Sequence, residues 1–271
     1  MYGDLRDILE KLVEGKISVE EAARLIRLFA IENIDKEAKF DLGRKLRRGV
    51  PEIIYGEGKN PDLLVNLVKR VVNKTGRVII SRLTTEQFKL LKKTLGKEFN
   101  ISMNMAGRIA VVRRDGFKVS VLPCKVGIVT AGTADIAVAE EAKVIVEEMG
   151  CETVTIYDAG IAGLHRSIEA AKRLKEEDVD VVIVVAGMEG ALPSLIASLL
   201  DVPVIGVPTS IGYGIGGKGI AAIFSMLQAC PLGLSIVNID NGVGAGVIAA
   251  LIAKRVGIYR AKSRKHTKKL V

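Results

Sequence analysis

The chain has no tryptophan, only two histidines and three cysteines in 271 residues, and aromatics make up 4%. These scarcities exclude several classes. His165 and His266 cannot build a histidine-rich metal centre. Cys124, Cys151 and Cys230 are odd in number and spread too widely for a disulfide framework or a zinc cluster. The first residues, MYGDLRDILEKLVEGKIS, hold charges throughout and no apolar core of a secretory signal, so a cytoplasmic protein is expected. Disorder is excluded by what is abundant. Apolar residues reach 49%, enough to offset the entropy of ordering the chain.

Base exceeds acid, 40 residues to 31, for a formal charge of +9. Six of those bases are Arg260, Lys262, Arg264, Lys265, Lys268 and Lys269, and without them the balance falls to +3. The excess therefore reads as a basic C-terminal tail, residues 259–271, and a solvated terminus is preferred to a nucleic-acid contact. Gly219 to Ile239 carries no formal charge and has the length of a membrane span. Gln228, Pro231, Gly233 and Ser235 interrupt it. It reads as a buried helix, a turn and a buried strand, and no membrane partner is expected.

Two textures divide the chain. Residues 1–120 are charge-rich and read as an N-terminal module. Two amphipathic helices (Asp4 to Glu14, and Ser18 to Ala30 with Ser18 as N-cap) precede a small α/β arrangement. Its strands are expected near Pro51 to Tyr55, Arg77 to Ser81 and Ile109 to Arg113, with helices at Asp62 to Asn73 and Thr84 to Leu95. From residue 121 to 258 short apolar strands alternate with helices five times. Continuous apolar strands between helices predict a parallel sheet covered on both faces, in an α/β fold.

Ligands of such sheets bind beyond the carboxyl ends of the strands. Here every one of those ends carries glycine: AlaGlyThrAlaAsp (131–135), AspAlaGlyIleAlaGlyLeuHisArg (158–166), AlaGlyMetGluGly (186–190), ThrSerIleGlyTyrGlyIleGlyGlyLysGly (209–219) and AspAsnGlyValGlyAlaGly (240–246). Glycine lets backbone N–H groups approach an anion, and the helix that follows adds positive potential. Five such turns favour a nucleotide or phosphate ester. Neither GxGxxG after the first strand nor GxxxxGK[ST] is present. Candidate binding residues are Gly132, Thr133, Ala134, Asp135, His165, Arg166, Gly187, Met188, Gly190, Ser210, Gly212, Tyr213, Gly214, Asn241 and Gly242.

Two reactive groups stand out. Cys230, before Pro231, is read as lying beside that glycine rim, as a nucleophile or a buried small hydrophobe. Glu189 is a general base, a cation ligand or a first-turn acid.

LysValGlyIleValThrAlaGlyThrAlaAsp, ValAlaGlyMetGluGlyAlaLeuPro, GlyValProThrSerIleGlyTyrGly and LeuGlnAlaCysProLeuGlyLeu resemble the PurE-like carboxylase superfamily over residues 123–258. Where PurE has a His before Leu-Pro, this chain has Ala191, and Glu189 stands two positions earlier. Cys230 stands where PurE has Met. These departures, with AspLeuGlyArgLysLeuArgArgGlyValProGluIleIleTyrGlyGluGlyLys upstream, resemble the LarB family over residues 38–258.

The resemblance implies a PurE-like, flavodoxin-like three-layer domain. It implies carboxylation of nicotinic acid adenine dinucleotide at pyridinium C5 by CO2, with phosphoanhydride hydrolysis. The products are pyridinium-3,5-biscarboxylic acid mononucleotide and AMP, a step of nickel-pincer nucleotide cofactor biosynthesis. On that pattern Cys230 is the nucleophile and Glu189 moves a proton or positions water. Arg44, Arg47, Arg48 and Lys59 are candidates for the AMP half or pyrophosphate, or else surface ion pairs. Mg²⁺ is implied, with Asp135, Glu189 or Asp240 as candidate ligands; biotin, ATP and a redox cofactor are not needed. A homo-oligomer, an octamer in PurE relatives, is implied too. The alternatives are an aminoimidazole ribonucleotide carboxylase or mutase and a non-catalytic nucleotide-binding protein.

Overall fold

The computed structural model describes residues 5–29, 31–34, 38–41 and 48–267. The chain divides into two compact units. Met1–Ser102 with Ala110–Phe117 form one, Met103–Ile109 with Lys118–Val271 the other.

In the smaller unit, α1 (Leu5–Val13) and α2 (Val19–Phe29) pack through Ile8, Ala22 and Leu25. Ser18 Oγ accepts the Glu21 N–H at 3.1 Å, the N-cap read from the sequence. Strands β1 (Ile31–Ile34) and β2 (Ala38–Asp41) then pair antiparallel, a hairpin that short polar sequences did not announce. The remaining elements are β3 (Ile53–Tyr55), α3 (Pro61–Thr75), β4 (Arg77–Ser81), α4 (Thr85–Leu95), β5 (Asn100–Asn104) and β6 (Ile109–Arg113). They build a four-stranded sheet in the order β3-β4-β6-β5. Helix α3 starts where it does because Asn60 Oδ1 accepts the amides of Asp62 and Leu63 and Pro61 fixes the first turn. Helix α4 opens on a capping box between Thr84 and Gln87.

The larger unit carries β7 (Lys125–Thr130), α5 (Ile136–Glu148), β8 (Glu152–Ile156), α6 (Leu164–Glu176), β9 (Val181–Ala186), α7 (Leu192–Leu199), β10 (Val204–Pro208), α8 (Ile220–Leu227), β11 (Leu234–Ile236) and α9 (Gly242–Thr267). All five strands run parallel in the order β11-β10-β9-β7-β8. This is the flavodoxin-like doubly wound arrangement, with its switch point between β7 and β9. Alternate residues of β9 serve the two faces. Val182, Val184 and Ala186 join α6, α7 and α8 in one core. On the other face α9 packs on α5. Close approach there requires glycine: a Cβ on Gly242 would lie 2.4 Å from the carbonyl of Val138.

The uncharged stretch 219–239 resolves into α8, a turn and β11, as expected, but α8 is only partly buried. Phe224 and Leu227 remain 62% and 61% exposed. Gly242–Lys262 of α9 is long and apolar enough, by length and composition, to cross a membrane; in the fold it packs on α5 and the sheet.

Two further expectations change. Residues 259–267, read as tail, continue α9, and Arg260 is anchored to buried Asp180 at 2.8 Å. Cys124 and Cys151, read together with Cys230 as too widely spread for a disulfide framework, form a disulfide. The register explains it. Lys125 stands opposite Glu152 across β7 and β8, so the residues just before them are neighbours at the same edge. One βαβ crossover separates them in sequence, which hides the contact.

Candidate active site

The carboxyl edge of the large sheet is organised by one buried carboxylate. Asp135 follows β7 at the switch point. Its Oδ1 accepts the Thr209 hydroxyl at 2.7 Å, its Oδ2 accepts the Gly132 N–H at 2.9 Å, and the Gly187 amide also donates to it. Three crossovers, after β7, β9 and β10, are thus tied to one side chain. Burial pushes the Asp135 carboxyl above the usual carboxylate range, while these donors pull it down and the charge of Asp240 adds to the rise. The side chain makes no cap to α5.

Gly187 is fixed by the same contact. A Cβ there would lie 2.4 Å from the Ile211 carbonyl and 2.6 Å from Thr209 Oγ1. Gly132 differs. Its φ is −127°, and a Cβ would meet nothing nearer than Asp135 Oδ2 at 3.7 Å. Neither backbone conformation nor packing requires glycine at that position.

Backbone strain concentrates on this edge. Asp158, Met188, Lys218 and Asp240 all hold left-handed φ, between 50° and 60°, each in a crossover after a strand of the large sheet. Such conformations cost roughly 1 kcal/mol or more and collect at functional sites. Met188 and Glu189 are exposed beside buried Gly190. Asp240 Oδ1 accepts the Ser210 amide at 2.8 Å, which leaves that residue's side of the loop ordered but exposed. Gly212, Tyr213 and Gly214 are exposed, Tyr213 at 82%. Thr133, Ala134 and His165 are exposed as well.

Other candidates take structural duties. Arg166 turns back onto its own crossover, 2.5 Å from Asp158 Oδ2 and 2.8 Å from the Asp158 carbonyl. Asn241 Oδ1 caps α9 through the Gly244 amide at 2.8 Å, and Gly242 serves the contact with α5. In the smaller unit Arg48 is exposed and Lys59 half-buried, its carbonyl held by Gln87 Nε2 at 2.9 Å. Arg44 and Arg47 lie outside the described residues.

Cys230 is a free, exposed thiol, but not beside the glycine rim. It follows α8 and precedes β11, and the Gly233 carbonyl next to it accepts the amide of Val204, the first residue of β10. That is the amino edge. A helix that starts at the carboxyl edge of a parallel sheet must return the chain to the other one. The span of β10, roughly 13 Å, separates the two edges.

The implied Mg²⁺ would fall to Asp135, Glu189 or Asp240. Among the described residues no group of three or more His, Cys, Asp or Glu could hold a metal ion. Both Asp135 oxygens are already accepting. These side chains do not make a protein cage for the ion.

Sequence reasoning missed Thr209 and Lys218. Thr209 is fully buried and supplies the hydroxyl that holds Asp135. A polar residue directly after the apolar strand ValIleGlyValPro was the available signal. Lys218 is exposed on the rim in the left-handed conformation, a cation among glycines that would hold the conformation more easily.

Comparison with known proteins agrees with this architecture. The AIR carboxylase family model matches residues 125–269, and a LarB/PurE-like N-terminal domain matches residues 31–114. A SHOCT-like domain matches residues 4–32, the α1–α2 hairpin. An uncharacterized protein of Methanocaldococcus jannaschii is 46% identical over 260 residues, 94% of this chain and 98% of the relative. The N5-carboxyaminoimidazole ribonucleotide mutase of Thermotoga maritima is 32% identical over 155 residues, 52% of this chain and 86% of the relative. That of Pyrococcus horikoshii is 35% identical over 131 residues, 47% of this chain and 71% of the relative. The chain belongs to the PurE-like AIR carboxylase superfamily and, through its N-terminal domain, to the LarB family within it.

Proposed function

We propose that the protein carboxylates the pyridinium ring of nicotinic acid adenine dinucleotide at C5 and hydrolyses the phosphoanhydride. The observation that carries this is the exposed free thiol of Cys230 on a PurE-like domain that has Ala191 before Leu192-Pro193. A pyridinium ring is too electron-poor to attack CO2. Addition of the Cys230 thiolate at C4 breaks the aromaticity and makes C5 enamine-like. C5 attacks CO2, a base takes the C5 proton, and loss of the thiolate restores the ring. Glu189, exposed on the carboxyl rim, is assigned the proton or the hydrolytic water.

The position of Cys230 adds a requirement. Its edge faces away from the rim of its own chain. The reading therefore needs a homo-oligomer in which the amino edge of one copy meets the carboxyl rim of another. Exposed apolar side chains support such burial on both sides: Phe224, Leu227 and Leu232 (92% exposed) around Cys230, and Tyr213 and Ile215 on the rim.

The test is a product assay on purified protein with nicotinic acid adenine dinucleotide, bicarbonate and Mg²⁺, run in parallel with aminoimidazole ribonucleotide. AMP and a carboxylated nicotinate mononucleotide support the proposal. Turnover of the imidazole substrate alone would move the protein to the purine-type reaction. Turnover of neither would leave a binding protein.

A further inference from the structure

The Cys124–Cys151 pair lies outside the chemistry assigned above. We infer that it is a permanent structural crosslink, closed during folding, that seats the C-terminal half of α9, and that it leaves Cys230 as the one thiol of the native protein. The inference does not depend on the carboxylase reading.

Three observations carry it. Both residues are buried, at 1% and 4% exposure, and their Cα atoms are 5.1 Å apart, within the ordinary range for a bridge. The pair staples the amino ends of β7 and β8, and β8 is the last strand of the sheet, held by one neighbour only. It also lies directly under α9. Cys151 Sγ is 3.9 Å from the Ala250 carbonyl, and a Cβ on Gly257 would come within 3.2 Å of Cys124 Cβ.

Two separate thiols need more room than a bonded pair, because their sulfurs must stand at van der Waals distance. The room would have to come from α9, whose Ala250, Ala253 and Gly257 are buried on this side. Just beyond, Arg260 holds the helix to Asp180 and donates to the Pro123 carbonyl at 3.4 Å. Bridge and ion pair thus clamp the same end of α9.

Closure is thiol–disulfide exchange with a small-molecule disulfide as oxidant. One cysteine thiolate attacks it and releases one small thiol. The second cysteine thiolate then attacks the mixed disulfide and releases the other, so two protein thiols are oxidised and one external disulfide is reduced. Burial puts both steps before the sheet is packed, and it shields the finished bridge from native-state reductants.

The first test uses full-length protein refolded with oxidised glutathione, then alkylated with iodoacetamide in guanidinium. One alkylation, at Cys230, and a peptide linking Cys124 to Cys151 are expected. Three alkylations would overturn the inference. In the second, dithiothreitol should leave the bridge intact in native buffer and cleave it in guanidinium. Fast native cleavage would overturn the permanent assignment. In the third, Cys124→Ala/Cys151→Ala should melt about 10 °C lower than the oxidised protein, with faster amide exchange over residues 250–260. Equal melting and unchanged exchange would remove the seating role, and Cys124→Ser/Cys151→Ser controls for the cavity left by alanine.

Discussion

Asp135→Asn isolates the contact that organises the rim. The wild-type carboxylate accepts from Thr209 Oγ1, the Gly132 amide and the Gly187 amide. An asparagine carbonyl can accept on one side only, and its NH2 then faces a donor. One charge-assisted bond is lost, about 1.5–3 kcal/mol. Relief from burying a charge returns part of that. The net loss is about 1–2 kcal/mol, which lowers Tm by roughly 5 °C in a chain of this size. The pH dependence has a definite sign. A carboxyl group whose folded pKa is raised takes up its proton first in the folded state. Its contribution to stability is full below the unfolded value, near 3.8, and is lost as pH rises through the raised folded value. The stability advantage of wild type over Asp135→Asn should therefore widen on acidification through that window. Thermal melts of both proteins across the acid range provide the assay. Equal Tm values, or a gap that narrows on acidification, would refute the assignment of Asp135 as a buried pin.

Three further substitutions probe the site. Cys230→Ala should abolish carboxylation and leave dinucleotide binding by calorimetry within a few-fold, because the rim is untouched; lost binding would recast the thiol as structural. Glu189→Gln should slow turnover by about 100-fold with little change in KM, and near-wild-type rates would remove it from the chemistry. Gly132→Ala should melt with the wild type yet bind the dinucleotide about 10-fold more weakly, since its added Cβ meets space a ligand would fill rather than protein. Unchanged affinity would mean that no ligand approaches there.

The large parallel sheet was legible because its strands are unbroken apolar runs. ValValIleValValAla of β9 is fully buried, and only a strand covered on both faces has that composition. Glycines after every strand marked the carboxyl edge. The hairpin of β1 and β2 and strand β5 (AsnIleSerMetAsn) were not legible: β2 and β5 do alternate polar and apolar residues, but each of the three strands is only four or five residues long and carries just two apolar ones, too short a pattern to stand out. The edge to which Cys230 belongs was misjudged because proximity was read along the chain. The αβ connection that contains it belongs to the edge opposite the βα connections. The disulfide was missed for a related reason: strand register, not sequence distance, brings Cys124 to Cys151. Within the glycine set, residues that serve packing, such as Gly187 and Gly242, look the same in sequence as Gly132. Only the surroundings of the missing Cβ separate them.

The most direct measurement follows the new carbon. The protein is incubated with nicotinic acid adenine dinucleotide and isotopically labelled bicarbonate, and the products are read by mass spectrometry and NMR, with Cys230→Ala beside it. The account predicts one labelled carboxylate at ring C5 of a mononucleotide, AMP alongside it, and neither in the variant. Label-free products, or labelled product from Cys230→Ala at the wild-type rate, would contradict it.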